Sequence, residues 1–148
     1  MQKLDFDEVL RFLKTVDTSF PVPLSAKQPL EGLAQKFCEK ATLCHIEENG
    51  EMVALVAGYT QNLAKNMAYI SVVATLPDMR GKGYAKKLMK QFLDICEEKK
   101  IAAVHLYTDA SNEAAIALYE RLGFVPYVVE DEPRPEDIHL IYHFKQEQ

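Results

Sequence analysis

Residues 68–76, AYISVVATL, run straight into PDMRGKGYAKKL, residues 77–88, and this junction constrains the fold more than any other stretch of the chain. The first run is dominated by β-branched and apolar residues, which predicts a strand buried on both faces. From Gly83 to Lys100, Ala85, Leu88, Met89, Phe92, Ile95 and Cys96 fall on one stripe with lysines and glutamates opposite, the pattern of an amphipathic helix. The two glycines and the bases around them therefore sit where a strand hands over to a helix.

The flanking sequence supplies the other elements. Leu4, Phe6, Val9, Leu10, Leu13 and Val16 recur at helical spacing until Phe20-Pro21-Val22-Pro23-Leu24, where the prolines forbid continuation. Leu30, Leu33, Phe37, Cys38 and Ala41 predict a second helix, with Pro29 near its first turn. TLCHIEE and MVALVAGYT, joined through Asn49-Gly50, predict a β-hairpin. Downstream, Ala102–Thr108 predicts a strand, DASN a helix start, EAAIALYERL the helix and Gly123 its stop. Phe124–Val129 and Ile138–Phe144 are expected as closing strands around the charged loop EDEPRPED. This order indicates a mixed α/β (α+β) fold, and 148 residues suit one domain spanning 1–148.

Charge and cysteine usage exclude several functions. A net charge of -5 argues against nucleic acid as a partner, because such surfaces carry a basic excess. The charge is uneven: Arg80, Lys82, Lys86, Lys87 and Lys90 crowd one region, and Glu130, Asp131, Glu132, Glu136 and Asp137 another. Cys38, Cys44 and Cys96 match neither a zinc site nor a disulfide framework, so they are read as small core residues and no metal is expected. No apolar run approaches the ~18 residues of a membrane span, so no membrane partner is expected and a cytoplasmic location is.

Glycines beside bases often hold a phosphate, and spacing separates the ways of doing so. A Walker loop needs G-x-x-x-x-G-K-[ST], but here the glycines are too close and no Ser or Thr follows a Lys. A dinucleotide fingerprint needs a third glycine, where the chain has Lys86. What remains is a short R-G-K-G-Y-A turn at a helix N-terminus, whose free N–H groups and dipole of about half a positive charge suit a pyrophosphate. An ordinary glycine-rich, basic helix start is the equal alternative at this point.

Together with NEAAIALYERLGF, residues 112–124, the segment VATLPDMRGKGYA closely resembles the GCN5-related N-acetyltransferase (GNAT) family; the two motifs lie about thirty residues apart. The resemblance is strong over Ala68–Phe124 and implies a centrally splayed sheet of about six to seven strands flanked by about four helices. It implies acetyl-CoA as co-substrate, its pantetheine arm pairing with the backbone of Val73, Ala74 and Thr75. The pyrophosphate would rest on the backbone of Gly81, Lys82, Gly83, Tyr84, Ala85 and Lys86, with Arg80 and Lys82 close by. Asn112 matches a position that bonds the pantetheine region, with an N-cap as its plainer role, and Ala115 is small where the cofactor passes.

Tyr119 matches the family's general acid. A phenol with a pKa near ~10 is protonated at neutral pH and can give its proton to the departing thiolate of coenzyme A. The attacking amine must also lose a proton, and His105, Glu130 and His139 are candidates for the base. In the subgroup that acetylates protein N-termini a glutamate is common at the strand position held here by Tyr107, so this chain departs from that pattern.

The resemblance places acceptor recognition in FPVPLSAKQP and VVEDEPRPEDIHL, the second of which concentrates carboxylates that would favour a cationic amine. The implied function is N-acetylation of a small-molecule amine such as an amino sugar, polyamine, amino acid or aminoglycoside. Acetylation of a protein N-terminus or lysine, and a non-catalytic acyl-CoA-binding module, are the alternatives. A homodimer joined through the last strands is a further implication.

Overall fold

A computed structural model describes residues 4–145. Helix α1 (Phe6–Val16) starts at Asp5, whose side chain accepts the Asp7 N–H, and α2 (Leu30–Lys40) starts directly after Pro29. Strands β1 (Thr42–Glu48) and β2 (Glu51–Tyr59) form the hairpin, with Asn49 and Gly50 both at positive φ, 53° and 77°, as a tight reversal requires. Then follow β3 (Met67–Thr75), α3 (Tyr84–Glu98), β4 (Ala103–Thr108), α4 (Glu113–Leu122), β5 (Val125–Pro126) and β6 (Ile138–His143).

The order is the expected one, and the sheet runs β1-β2-β3-β4-β6-β5. The fifth strand is much shorter than the predicted Phe124–Val129. Pro126 lacks an N–H, and after one further bond, Tyr127 N–H to the His139 carbonyl, the chain leaves the sheet with Val128 91% exposed.

Two apolar layers cover the sheet. Leu88, Met89, Phe92 and Cys96 of α3, with Tyr119 and Phe124, pack on Ala68, Ile70, Val104 and Leu106. On the other face Val9, Phe12, Leu13, Leu33 and Phe37 of α1 and α2 pack on Leu55, Ala57, Val72 and Ala74. Gly58 allows the closest approach: a Cβ there would lie 2.5 Å from the Phe92 ring and 2.8 Å from the Tyr69 carbonyl oxygen.

Ile70 and Val72 are two residues apart yet belong to opposite layers. A regular strand cannot do this, because its side chains alternate with period two. The explanation is a bulge: Ala57 faces Val72 while the next residue, Gly58, faces Ile70, so Ser71 is an extra residue that turns the strand over. Parallel pairing of β3 with β4 ends at the same level, with Ile70 opposite Leu106. Beyond it β3 stays with β2 as far as Thr75 and β4 stays with β6 as far as Thr108, so the two strands part.

Candidate active site

The parting of β3 and β4 opens a cavity of about 1430 Å³, larger than the ~300–1,000 Å³ typical of one small ligand. Val73, Ala74 and Thr75 line it from the β3 side, where their backbone has lost its β4 partner. The glycine-basic turn lines it as well, and so does the connector between α1 and α2, including Phe20, Pro21, Val22 and Leu24.

In the turn, Gly81 and Gly83 have φ of 83° and 79°, a conformation that a side chain disfavours, although no atom lies within 4 Å of where either Cβ would be. The glycines therefore serve the backbone path and leave open space above it. Gly83 is the N-cap of α3, and among the described residues no side chain caps that helix, so its first turn lines the cavity with N–H groups that no side-chain cap satisfies. Arg80, Gly81, Gly83, Tyr84, Ala85 and Lys86 all line the cavity. Lys82 does not: its ammonium lies 3.8 Å from Glu48 and 3.5 Å from the Met79 sulfur. Its side chain is drawn away towards β1, which leaves only its backbone for the expected role.

Across the cleft, the side-chain oxygen of Asn112 accepts the Ala115 N–H at 3.3 Å, which makes it the N-cap of α4 while it also lines the cavity with Ala115. Tyr119, two turns further along, is 5% exposed and reaches the same wall. Burial pushes its phenol well above the ordinary value of 10.0, which keeps it protonated.

Tyr107 joins the cavity to a network that spacing along the chain did not reveal. Tyr107 donates to Glu132 Oε1 at 2.5 Å, Glu132 Oε2 lies 2.7 Å from His139 Nδ1, and His139 Nε2 lies 2.8 Å from His105 Nδ1. Tyr107 stacks on His139 at 4.0 Å between centroids. Burial, and then the neighbouring His139, lower the His105 imidazole below 6.5 against the pull of Glu132. Burial and the bond to Glu132 raise the Tyr107 phenol, and that same bond is the largest cause lowering Glu132. Tyr69, Tyr107, Arg134 and Asp137 form the cavity wall, with His105, His139 and Glu132 behind it. Glu130, the other candidate base, is exposed and stands outside this network.

The model of the acetyltransferase (GNAT) family matches residues 10–124. The chain belongs to the GNAT family. Among curated proteins it is 41% identical over 59 residues to N-alpha-acetyltransferase 30 of Schizosaccharomyces pombe, covering 40% of this chain and 39% of that one. It is 37% identical over 79 residues to the ribosomal protein bS18-alanine N-acetyltransferase of Escherichia coli K12, 53% of this chain and 51% of that one. A mycothiol acetyltransferase of Paenarthrobacter aurescens is 43% identical over 56 residues, 38% of this chain and 17% of that one. The chain thus spans about half the length or less of these relatives. The fold matches the PaiA N-acetyltransferase of Thermoplasma acidophilum in complex with coenzyme A, with a TM-score of 0.74 at 12% identity over 97% of both chains.

Within this GNAT fold, the wall at position 107 carries a tyrosine, and a carboxylate arrives at its hydroxyl from the loop as Glu132. The sequence does carry a signal for part of the cluster: His105 and Tyr107 alternate on β4, and His139 sits opposite Tyr107 in the β4–β6 register. The partner that joins them, Glu132, is 25 residues from Tyr107 and has no periodic relation to it.

Proposed function

We propose that this chain transfers the acetyl group of acetyl-CoA to a primary amine by direct attack in a ternary complex. The pantetheine arm would lie along the free edge at Val73–Thr75, and the pyrophosphate on the uncapped start of α3 between Gly81 and Lys86, with Arg80 beside it. Asn112 and Ala115 would border the arm. The amine forms the new C–N bond as the C–S bond breaks, the amine proton passes to water or a base, and Tyr119 protonates the thiolate. The observation that carries this reading is the coincidence of three features on one cavity: a strand edge without a partner, an uncapped glycine turn, and a buried, protonated tyrosine.

The first choice of acceptor is a small-molecule amine. A protein N-terminus is the second, favoured by the two curated relatives named as an N-alpha-acetyltransferase and as a ribosomal protein bS18-alanine N-acetyltransferase. Thiol release from acetyl-CoA is to be measured against a panel of amines and peptides. Tyr119→Phe is expected to lower kcat by about 10²–10⁴-fold, the usual worth of a general acid. Undiminished turnover in that variant would remove Tyr119 from the role. Tight coenzyme A binding without thiol release for any amine would instead make the chain a binding module.

A further inference from the structure

The acceptor end of the cleft presents a cation where the acidic sequence of its loop suggested carboxylates. Arg134 is held on several sides. Its Nε and Nη2 donate to Asp137 Oδ2 at 2.8 and 2.5 Å, its Nη1 lies 3.5 Å from the Tyr69 hydroxyl, and its guanidinium lies 4.5 Å from the Tyr107 ring centroid. The ion pair is lopsided, with 32% of the Arg134 side chain exposed against 10% of Asp137. Asp137 is the buried brace and the guanidinium is the surface offered to the cavity.

A guanidinium has five N–H donors. Three are committed to Asp137 and Tyr69, which leaves one on each Nη, a pair that one carboxylate can bridge. The group is also positioned before any ligand arrives. Glu132 accepts the Arg134 backbone N–H at 3.1 Å while bonded to Tyr107 and His139, so the loop is fastened to β4 and β6. Glu132 and Asp137 are thereby both engaged and do not stand free to attract a cation. Lys27 also lines the cavity, in electrostatic contact with Asp109, and Phe20, Pro21, Val22 and Leu24 form an apolar side.

Resting on the acetyl-transfer reading, the geometry points to an acceptor that is a free amino acid with an apolar side chain, its carboxylate bridging the two open N–H groups of Arg134 and that side chain lying against the Phe20–Leu24 wall. A site built to bond a charged group rejects the analogue that lacks it, because its own donors are then left unpaired.

The test uses matched pairs: leucine with isoamylamine, and phenylalanine with phenethylamine. With the wild-type protein, kcat/KM for acetyl transfer is expected to be at least tenfold higher for the acid member, the difference residing in KM. Arg134→Lys and Arg134→Gln should each lower kcat/KM for the acids at least tenfold more than for the amines. Equal or better use of the amine members, equal losses for both members in the variants, or preference for peptide N-termini over either would overturn the assignment. Should Arg134→Gln fail to fold, the wild-type ratio still decides. Coenzyme A binding without thiol release for any acceptor would overturn the acetyl-transfer reading as well, and is distinguishable from the losses above.

Discussion

At the scale of single residues, the Tyr107–Glu132–His139–His105 chain makes stability depend on pH in a direction that can be worked out. His105 is held below its ordinary 6.5, so its contribution is full above that pH and is lost as pH falls through the depressed value. Glu132 is held below 4.5, so its contribution is likewise present above that pH and lost below it. Both effects make acid destabilising, the first beginning near pH 6.5 and the second near pH 4.5. One proton corresponds to a limiting slope of about 1.4 kcal/mol per pH unit, and His105 should give less because its ring is only partly shielded from water. Thermal unfolding followed by circular dichroism from pH 7.5 to 4 should show His105→Asn losing the upper part of this slope and Glu132→Gln the lower part. Identical pH profiles for both variants and the wild type would exclude the network as the source.

At the scale of elements, the turn before α3 was legible because its signal is local. Gly81 and Gly83 adopt positive φ, a helix begins at once, and no side chain caps it. Gly83→Ala has room for its methyl group, so the cost is backbone strain of about 1 kcal/mol, and the protein should remain folded. If the turn holds the pyrophosphate, the same strain should raise the KM for acetyl-CoA roughly fivefold, measured at saturating amine with kcat little altered. An unchanged KM beside a lowered Tm would limit the glycine to a structural role. The length of β5 and the destination of Lys82 were not legible in the same way. Pro126 does mark the short strand, but Lys82 reads as one more base of the motif until Glu48 of the distant β1 is seen beside it. EDEPRPED reads as a solvated acidic loop for a related reason: Glu132 and Asp137 are engaged by Tyr107, His139 and Arg134, and only the Arg134–Asp137 spacing of three is visible in the sequence.

At the scale of the whole molecule, the bulge at Ser71 links the core to the cleft. AYISVVATL is apolar on both faces, so a switch of layer within it leaves no periodic trace, and the sequence predicts the strand without its turn-over. The switch lets the first half of β3 pack under α3 and the second half under α2, while the edge released from β4 remains open to solvent. An edge of this kind is stabilised by whatever pairs with it. A ligand at 100 times its dissociation constant adds about 2.7 kcal/mol, which for a chain of this size raises Tm by roughly 5–10 °C. Hydrogen exchange can locate that gain: coenzyme A should slow the amides of residues 71–75 and of 81–86 and leave the β1–β2 hairpin unaltered, since β2 is paired on both sides and β1 is the edge strand two places removed from β3. Protection confined to 81–86 would mean that the phosphates bind while the β3 edge stays free. Protection at both places would mean that the ligand fills the gap where β4 parts from β3, joining the α3 turn to the open strand edge.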